Sequence, residues 1–130
     1  MKPFFLGAAL SVLGATQTLA LDCTAPQTQA DINSCAAQFY QMADEDLNLA
    51  YGMARDMARQ IDMDAPQGQA SSVTLLRDAQ RAWIQYRDLA CSAESMLAAG
   101  GSMQPMLQLS CLERLTRART EDLRYFGEVN

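Results

Sequence analysis

The stretch "CSAESMLAAGGSMQPMLQLSC", residues 91–111, decides the fold that we expect for this chain. Two consecutive glycines, Gly100 and Gly101, end a helical pattern, because glycine readily adopts the left-handed backbone of a helix C-terminus. Ser102 can begin the next helix, and Pro105 is tolerated in its first turn. The stretch therefore predicts two helices joined by a tight turn, an antiparallel helical hairpin.

The four cysteines fit this hairpin. Cys91 and Cys111 are each ten residues from Gly101, so they should lie opposite each other and form a disulfide. That pairing leaves Cys23 to bond with Cys35. Each of these short closures stabilises the fold by about 3 kcal/mol in a loop-entropy model. Because the chain has no CxxC motif, we expect structural rather than redox-active disulfides.

Apolar spacing predicts three helices, over residues 28–63, 72–98 and 103–125. Thr28 or Asp31 provides the N-terminal cap of the first helix, and the segment 62–72, with Pro66 and Gly68, forms a connecting loop. The predicted fold is all-α, a small disulfide-linked bundle whose long first helix packs on the hairpin. The inward stripe of the second helix contains Val73, Leu76, Ala79, Gln80, Trp83, Arg87, Ala90 and Cys91. That of the third contains Met106, Leu107, Cys111, Leu115, Ala118 and Leu123.

The N-terminus, "MKPFFLGAALSVLGATQTLA", has one lysine, an apolar run and a small-residue ending, which is typical of a secretory signal peptide. Cleavage after Ala20 leaves a single domain, 21–130, located in the periplasm or secreted. Leu21 and Asp22 do not form a lipoprotein signal before Cys23, so we expect no stable membrane anchor. Removing Lys2 changes the net charge from −5 to −6. This acidity argues against nucleic-acid binding. It could steer the protein toward a basic partner, although in an arbitrary acidic protein such a charge more often only maintains solubility.

The residue types present exclude most catalytic and metal sites. The chain has no histidine, so the common hydrolase triads and zinc sites are excluded, and a small bundle should offer little cleft for a glycosidase carboxylate pair. The acids of "ADEDLN", residues 43–48, lie in a helical pattern rather than a calcium loop. The pairs Met53–Met57 and Met103–Met106 could bind copper(I), but methionine at helical spacing more often fills cores or forms contact surfaces. We expect no catalytic residue, metal or cofactor.

The second helix contains a polar seam in "AQRAWIQYRDLAC", residues 79–91. Gln80, Trp83 and Arg87 share one stripe, and an inward arginine needs an acid or carbonyl partner. Asp44 and Asn48, followed by Tyr51, are the expected partners on the first helix. Arg81 and Asp88 lie on another side of the second helix, exposed or facing the third. This set is expected to be a structural seam or, alternatively, a binding face.

Several motifs together resemble the LprI-type lysozyme inhibitor domain of bacterial exported proteins. They are "DC" near the mature start, "TQADINSCA", "YQMADEDLN" with Tyr51, "LRDAQRAWIQYRDLAC", "GGSMQPM", and Cys111 with Thr116 and Arg119. The resemblance covers nearly all of the chain after the signal peptide. It implies a disulfide-linked helical domain of the bacterial envelope that inhibits lysozyme. The alternative is a non-inhibitory periplasmic module that binds another protein.

Overall fold

The computed structural model describes residues 21–128, which form three helices. They are α1 (Gln29–Asp64), α2 (Ser72–Ser95) and α3 (Gln104–Glu128), and a short 3-10 turn, Met96–Ala98, extends α2. The all-α prediction is therefore confirmed, with the long first helix packed against the other two. The predicted signal peptide lies outside the described residues. Within residues 21–128, no helix is both long enough and apolar enough to cross a membrane.

Side-chain hydrogen bonds cap the N-terminal ends of α1 and α2. Thr28 accepts a hydrogen bond from the Asp31 backbone N–H (3.1 Å), and Asp31 accepts one from the Thr28 N–H (3.0 Å). This capping box satisfies two backbone donors at the N-terminus of α1. At the other end, the Asp62 carboxylate accepts hydrogen bonds from the Ser71 hydroxyl (2.7 Å) and the Val73 N–H (3.2 Å). The loop is thereby closed across the ends of α1 and α2.

The hairpin and the two disulfides follow the predicted arrangement. Gly100 has φ +75°, the left-handed backbone that glycine adopts without steric cost. The disulfide between Cys91 and Cys111 joins α2 to α3. The disulfide between Cys23 and Cys35 holds the N-terminal segment against α1. Such bonds persist in oxidising compartments, which is consistent with a protein that lies outside the cytoplasm.

Helix α1 packs mainly against α3. Small side chains favour close packing, because α1 has five buried alanines, Ala36, Ala43, Ala50, Ala54 and Ala58, and Ala50 and Ala54 cluster with Leu123 of α3. Near the end of α3, a Cβ atom at Gly127 would lie only 3.2 Å from the Ala54 backbone nitrogen. Leu47 and Leu123 complete the buried centre.

Two positions of the predicted inward stripes are wrong. Ala79 and Ala118 are exposed, whereas Gln80 and Thr116 are buried. Neighbouring positions on a helix differ by about 100° in direction, so the turn of α2 that points Gln80 inward directs Ala79 toward solvent. Gln80 takes the inward position because it forms a hydrogen bond with α3, described below.

Candidate functional site

A groove of about 450 Å³ separates α1 from α2. It exists because α1 lies close along α3 but makes less contact with α2. Its lining includes six of the eight polar-seam positions predicted from the sequence, namely Asp44, Asn48, Tyr51, Gln80, Arg81 and Arg87. Leu47, Arg77 and Ile84 complete it. The expectation that a small bundle offers little cleft is therefore wrong, since α1 and α2 contact each other less than either contacts α3.

Arg87 is the buried charge at the base of this site, with 7% of its surface exposed. Its Nη1 lies 3.6 Å from Asp44 Oδ1 on α1 and donates a 3.2 Å hydrogen bond to Thr116 Oγ1 on α3. Its Nε donates a 2.9 Å hydrogen bond to Asp88 Oδ1 on its own helix. A single guanidinium thus contacts all three helices. Its charge is balanced by two carboxylates that both remain partly open to solvent.

Aromatic rings complete the surroundings of Arg87. The guanidinium carbon lies 5.0 Å from the centre of the Trp83 ring and 5.6 Å from that of Tyr40, within cation–π range. Burial raises the pKa of the Tyr40 hydroxyl, although the Arg87 charge opposes this. The sequence reasoning missed Tyr40. Its position four residues before Asp44, on the same face of α1, was the available signal.

Gln80 bonds to α3, whereas the seam partners predicted from the sequence lie on α1. Its Oε1 accepts a 3.0 Å hydrogen bond from Arg119 Nε on α3, not from a residue of α1. Together with the Arg87–Thr116 bond, this contact makes the seam chiefly a connection between α2 and α3. Thr116 and Arg119 belong to the sequence motifs quoted above, but the spacing of polar residues gave no indication of their partners.

Asn48, Tyr51 and Asp88 have supporting positions. Asn48 Nδ2 donates a 3.3 Å hydrogen bond to Asp44 Oδ2, which leaves Asp44 Oδ1 for Arg87. Tyr51 is half-buried at the wall of the groove and packs against the core. Asp88 is exposed and does not reach α3 within the described structure.

The groove is basic although the chain is acidic. Its lining contains three arginines and one aspartate. Arg77 pairs with Asp78 at 2.8 Å, and Arg87 has the partners described above. Arg81 is exposed and forms no ion pair with any residue in the described part of the chain. The groove can therefore offer one uncommitted guanidinium to an anionic group.

The described residues offer little for catalysis or metal binding in this groove. Asp44 is its single carboxyl group, so the pair of acids used in glycoside hydrolysis is absent from its described lining. Residues 21–128 also contain no cluster of three or more potential acidic, cysteine or histidine metal ligands.

Comparison with known proteins identifies the family. Residues 22–123 match the family model described as "Lysozyme inhibitor LprI". The chain is 42% identical over 110 residues to the uncharacterized protein R02472 of Rhizobium meliloti (strain 1021), covering 82% of this chain and 79% of that protein. It is 31% identical over 100 residues to the uncharacterized protein YecT of Escherichia coli (strain K12), covering 73% of this chain and 62% of YecT.

A solved structure has the same fold. The crystal structure of a DUF1311 family protein from Pseudomonas putida KT2440 aligns with a TM-score of 0.66 and 25% sequence identity, covering 81% of this chain and 98% of that one. The fold and the sequence motifs thus agree over the same part of the chain. On these grounds the chain belongs to the LprI lysozyme inhibitor family.

Proposed function

We propose that this protein is exported to the periplasm or secreted, and that it binds and inhibits a basic lysozyme. The match to the inhibitor family over residues 22–123 carries the proposal. The predicted signal peptide and the two disulfides support a location in the envelope. The proposed activity is blockage of an enzyme by a protein surface, without catalysis or a cofactor.

Electrostatics support a basic enzyme as the partner. After loss of Lys2 the net charge is −6, and opposite net charges accelerate the encounter of two proteins. This attraction is screened over about 8 Å at physiological ionic strength. Inhibition should therefore weaken as the salt concentration rises.

Arg81 is the residue that we propose to meet the catalytic cleft. Glycosidases of this kind place carboxyl groups on both sides of the bond that they cleave, and a guanidinium pairs with a carboxylate through two parallel hydrogen bonds. Arg81 is exposed at the groove and has no ion-pair partner among residues 21–128. Pairing with the enzyme would therefore require no internal salt bridge of Arg81 to be broken.

The test is a cell-wall turbidity assay with chicken-type, goose-type and invertebrate-type lysozymes at low and high salt. At least one enzyme should be inhibited, and Arg81→Ala should weaken inhibition about tenfold or more, the usual loss for a charge-assisted hydrogen bond. Arg124→Ala is the matched control, because Arg124 is exposed, carries the same charge and does not line the groove. Equal effects of both substitutions would locate the contact elsewhere.

The alternative function is a non-inhibitory module that binds another envelope protein. Exposed methionines on α1 favour it, since Met42 is 56% and Met53 49% exposed, and flexible thioether side chains suit adaptable contact surfaces. A pull-down from envelope extract, run beside the turbidity assay, separates the two functions. Failure to inhibit all three enzymes, together with recovery of a different partner, would replace the inhibitor proposal.

A further inference from the structure

Helix α2 carries an apolar face that no other part of the described structure covers. Its residues recur at alternating spacings of four and three, and we call this set the α2 outer stripe: Leu75, Ala79, Ala82, Tyr86, Leu89 and Ala93. All six are exposed, and the three large ones are 60%, 62% and 73% exposed. Monomeric proteins rarely expose a continuous apolar surface of this kind.

The spacing of the stripe indicates what kind of surface would cover it. A seven-residue repeat with apolar residues at alternating four and three is the pattern by which one helix packs along another in a coiled coil. The inward face of α2, which contains Gln80, Arg87 and Cys91, already serves the contact with α3. The outer stripe is therefore a second helix-packing surface on the same helix.

We propose that the occupant of the stripe is a second copy of this chain, with the two α2 helices packed antiparallel about a twofold axis. In this arrangement Leu75 lies opposite Ala93 of the other copy, and Ala79 lies opposite Leu89. Ala82 likewise lies opposite Tyr86. A twofold interface repeats each contact, so every large side chain faces an alanine. Such alternation of large and small residues fills the space between helices.

The other self-arrangement is less favourable. A parallel pair in register would place each residue opposite its own copy, so that alanine faces alanine and tyrosine faces tyrosine. The first contact leaves a void and the second crowds the interface. The size pattern of the stripe therefore favours the antiparallel pair.

Charge also permits self-association here. The stripe has no charged residue, although the exported chain has a net charge of −6. Along its polar border lie Asp78, Gln85 and Ser92. The antiparallel arrangement sets Asp78 near Ser92 of the other copy and Gln85 near its own copy, so no like charges meet.

The size of the interface sets the expected strength. From Leu75 to Ala93 the stripe is about 27 Å long, at 1.5 Å per helical residue. A single helix pair of that length is at the small end of specific interfaces, so we expect a dissociation constant of micromolar order. The α2 residues that line the groove do not belong to the stripe. The dimer would therefore present two open grooves, whatever their ligand is.

The test is analytical ultracentrifugation of the exported protein over a concentration series. We expect a monomer–dimer equilibrium that is largely dimeric at about 100 µM, well above a micromolar dissociation constant. Leu89→Glu should raise the dissociation constant about tenfold or more, since it buries an unpaired charge. Leu49→Glu is the matched control, because Leu49 is 72% exposed on α1 and Leu89 73% exposed on α2.

A size exchange tests the register. Ala79→Leu alone should weaken the dimer, because two leucines would then oppose each other, and adding Leu89→Ala should restore it. Circular dichroism checks that each variant folds; if Leu89→Glu does not, Ala82→Glu replaces it. A monomer at every concentration, or equal weakening by Leu49→Glu and Leu89→Glu, would overturn the proposal. Strengthening by Ala79→Leu would overturn the antiparallel register. None of these results depends on whether the protein inhibits lysozyme.

Discussion

Arg87 on α2 donates a 3.2 Å hydrogen bond from Nη1 to the hydroxyl of Thr116 on α3, 29 positions later in the chain. The Thr116 side chain is completely buried. Arg87 is the one charged residue in the buried part of the described structure, and it is held there by a hydroxyl from α3 and carboxylates of α1 and α2. This side chain therefore links all three helices.

Replacing Arg87 should lower stability rather than only alter binding. Arg87→Ala removes the shared donor of three helices and should lower the free energy of unfolding by about 2–3 kcal/mol. This loss is smaller than the about 3–5 kcal/mol typical of a fully buried ion pair, because the Asp44 and Asp88 side chains are 42% and 54% exposed and keep solvent contact after the change. Urea unfolding measures the loss. Arg124→Ala, which removes a surface pair with Glu121, should change stability little, and equal losses in both variants would contradict this role.

The Thr116 hydroxyl can be tested without changing the size of the side chain. Thr116→Val keeps the shape but leaves an Arg87 N–H without its acceptor, so we expect a loss of about 1–2 kcal/mol. Thr120→Val is the control, because the Thr120 hydroxyl bonds only to the Thr116 carbonyl oxygen of the same helix. In thermal unfolding, Thr116→Val should therefore melt at a lower temperature than Thr120→Val. A larger loss for Thr120→Val would mean that the contact between helices is energetically minor.

The helices follow from local signals in the sequence, whereas the contacts of the seam do not. Thr28, the Gly100–Gly101 pair and the loop after Asp62 fix the helix ends through capping and backbone freedom, which depend on nearby residues. The period of a helix shows which face points inward, but not which of two neighbouring helices that face meets. The sequence therefore predicts α1 partners for Arg87 but no partner for Gln80, which bonds to Arg119 on α3.

The groove was missed for a related reason. Sequence spacing does not give the distances between helix axes, which here depend on the size of the packed side chains. Small buried alanines of α1 permit a close contact with α3, whereas α1 and α2 make much less contact with each other. The predicted seam residues lie together, but at the wall of an open groove rather than in a closed contact.

Two glycines in helices should respond in opposite ways to alanine. No atom lies within 4 Å of a Cβ built at Gly52, so Gly52→Ala should stabilise the protein by about 1 kcal/mol through helix propensity. At Gly127 the added atom would lie 3.2–3.3 Å from backbone atoms of Ala54 and Met53. Gly127→Ala should therefore leave the stability unchanged or lower it. Melting temperatures compare the two directly. Stabilisation by both would show that α1 and α3 separate more easily than this close contact implies.

Asp62 should make stability depend on pH. The Ser71 hydroxyl, with the backbone N–H groups of Ser72 and Val73, lowers the pKa of the Asp62 carboxyl below its ordinary value of 3.8. A carboxyl whose pKa is lower in the folded state stabilises the fold above its unfolded pKa, and this contribution is lost as pH falls through the folded pKa. We therefore expect Asp62→Asn to lower stability at pH 7 and to lose less stability than the parent between pH 5 and pH 2.

Urea unfolding at several pH values within that interval measures this effect, and Asp64→Asn is the control. Asp64 lies two residues further along, is exposed, and accepts no side-chain hydrogen bond from the described residues. The difference in free energy of unfolding between the parent and Asp62→Asn should shrink as the pH falls. The difference between the parent and Asp64→Asn should not. Parallel pH curves for the parent and Asp62→Asn would mean that the carboxylate does not cap α2 in solution, and that the loop after α1 is closed by other contacts.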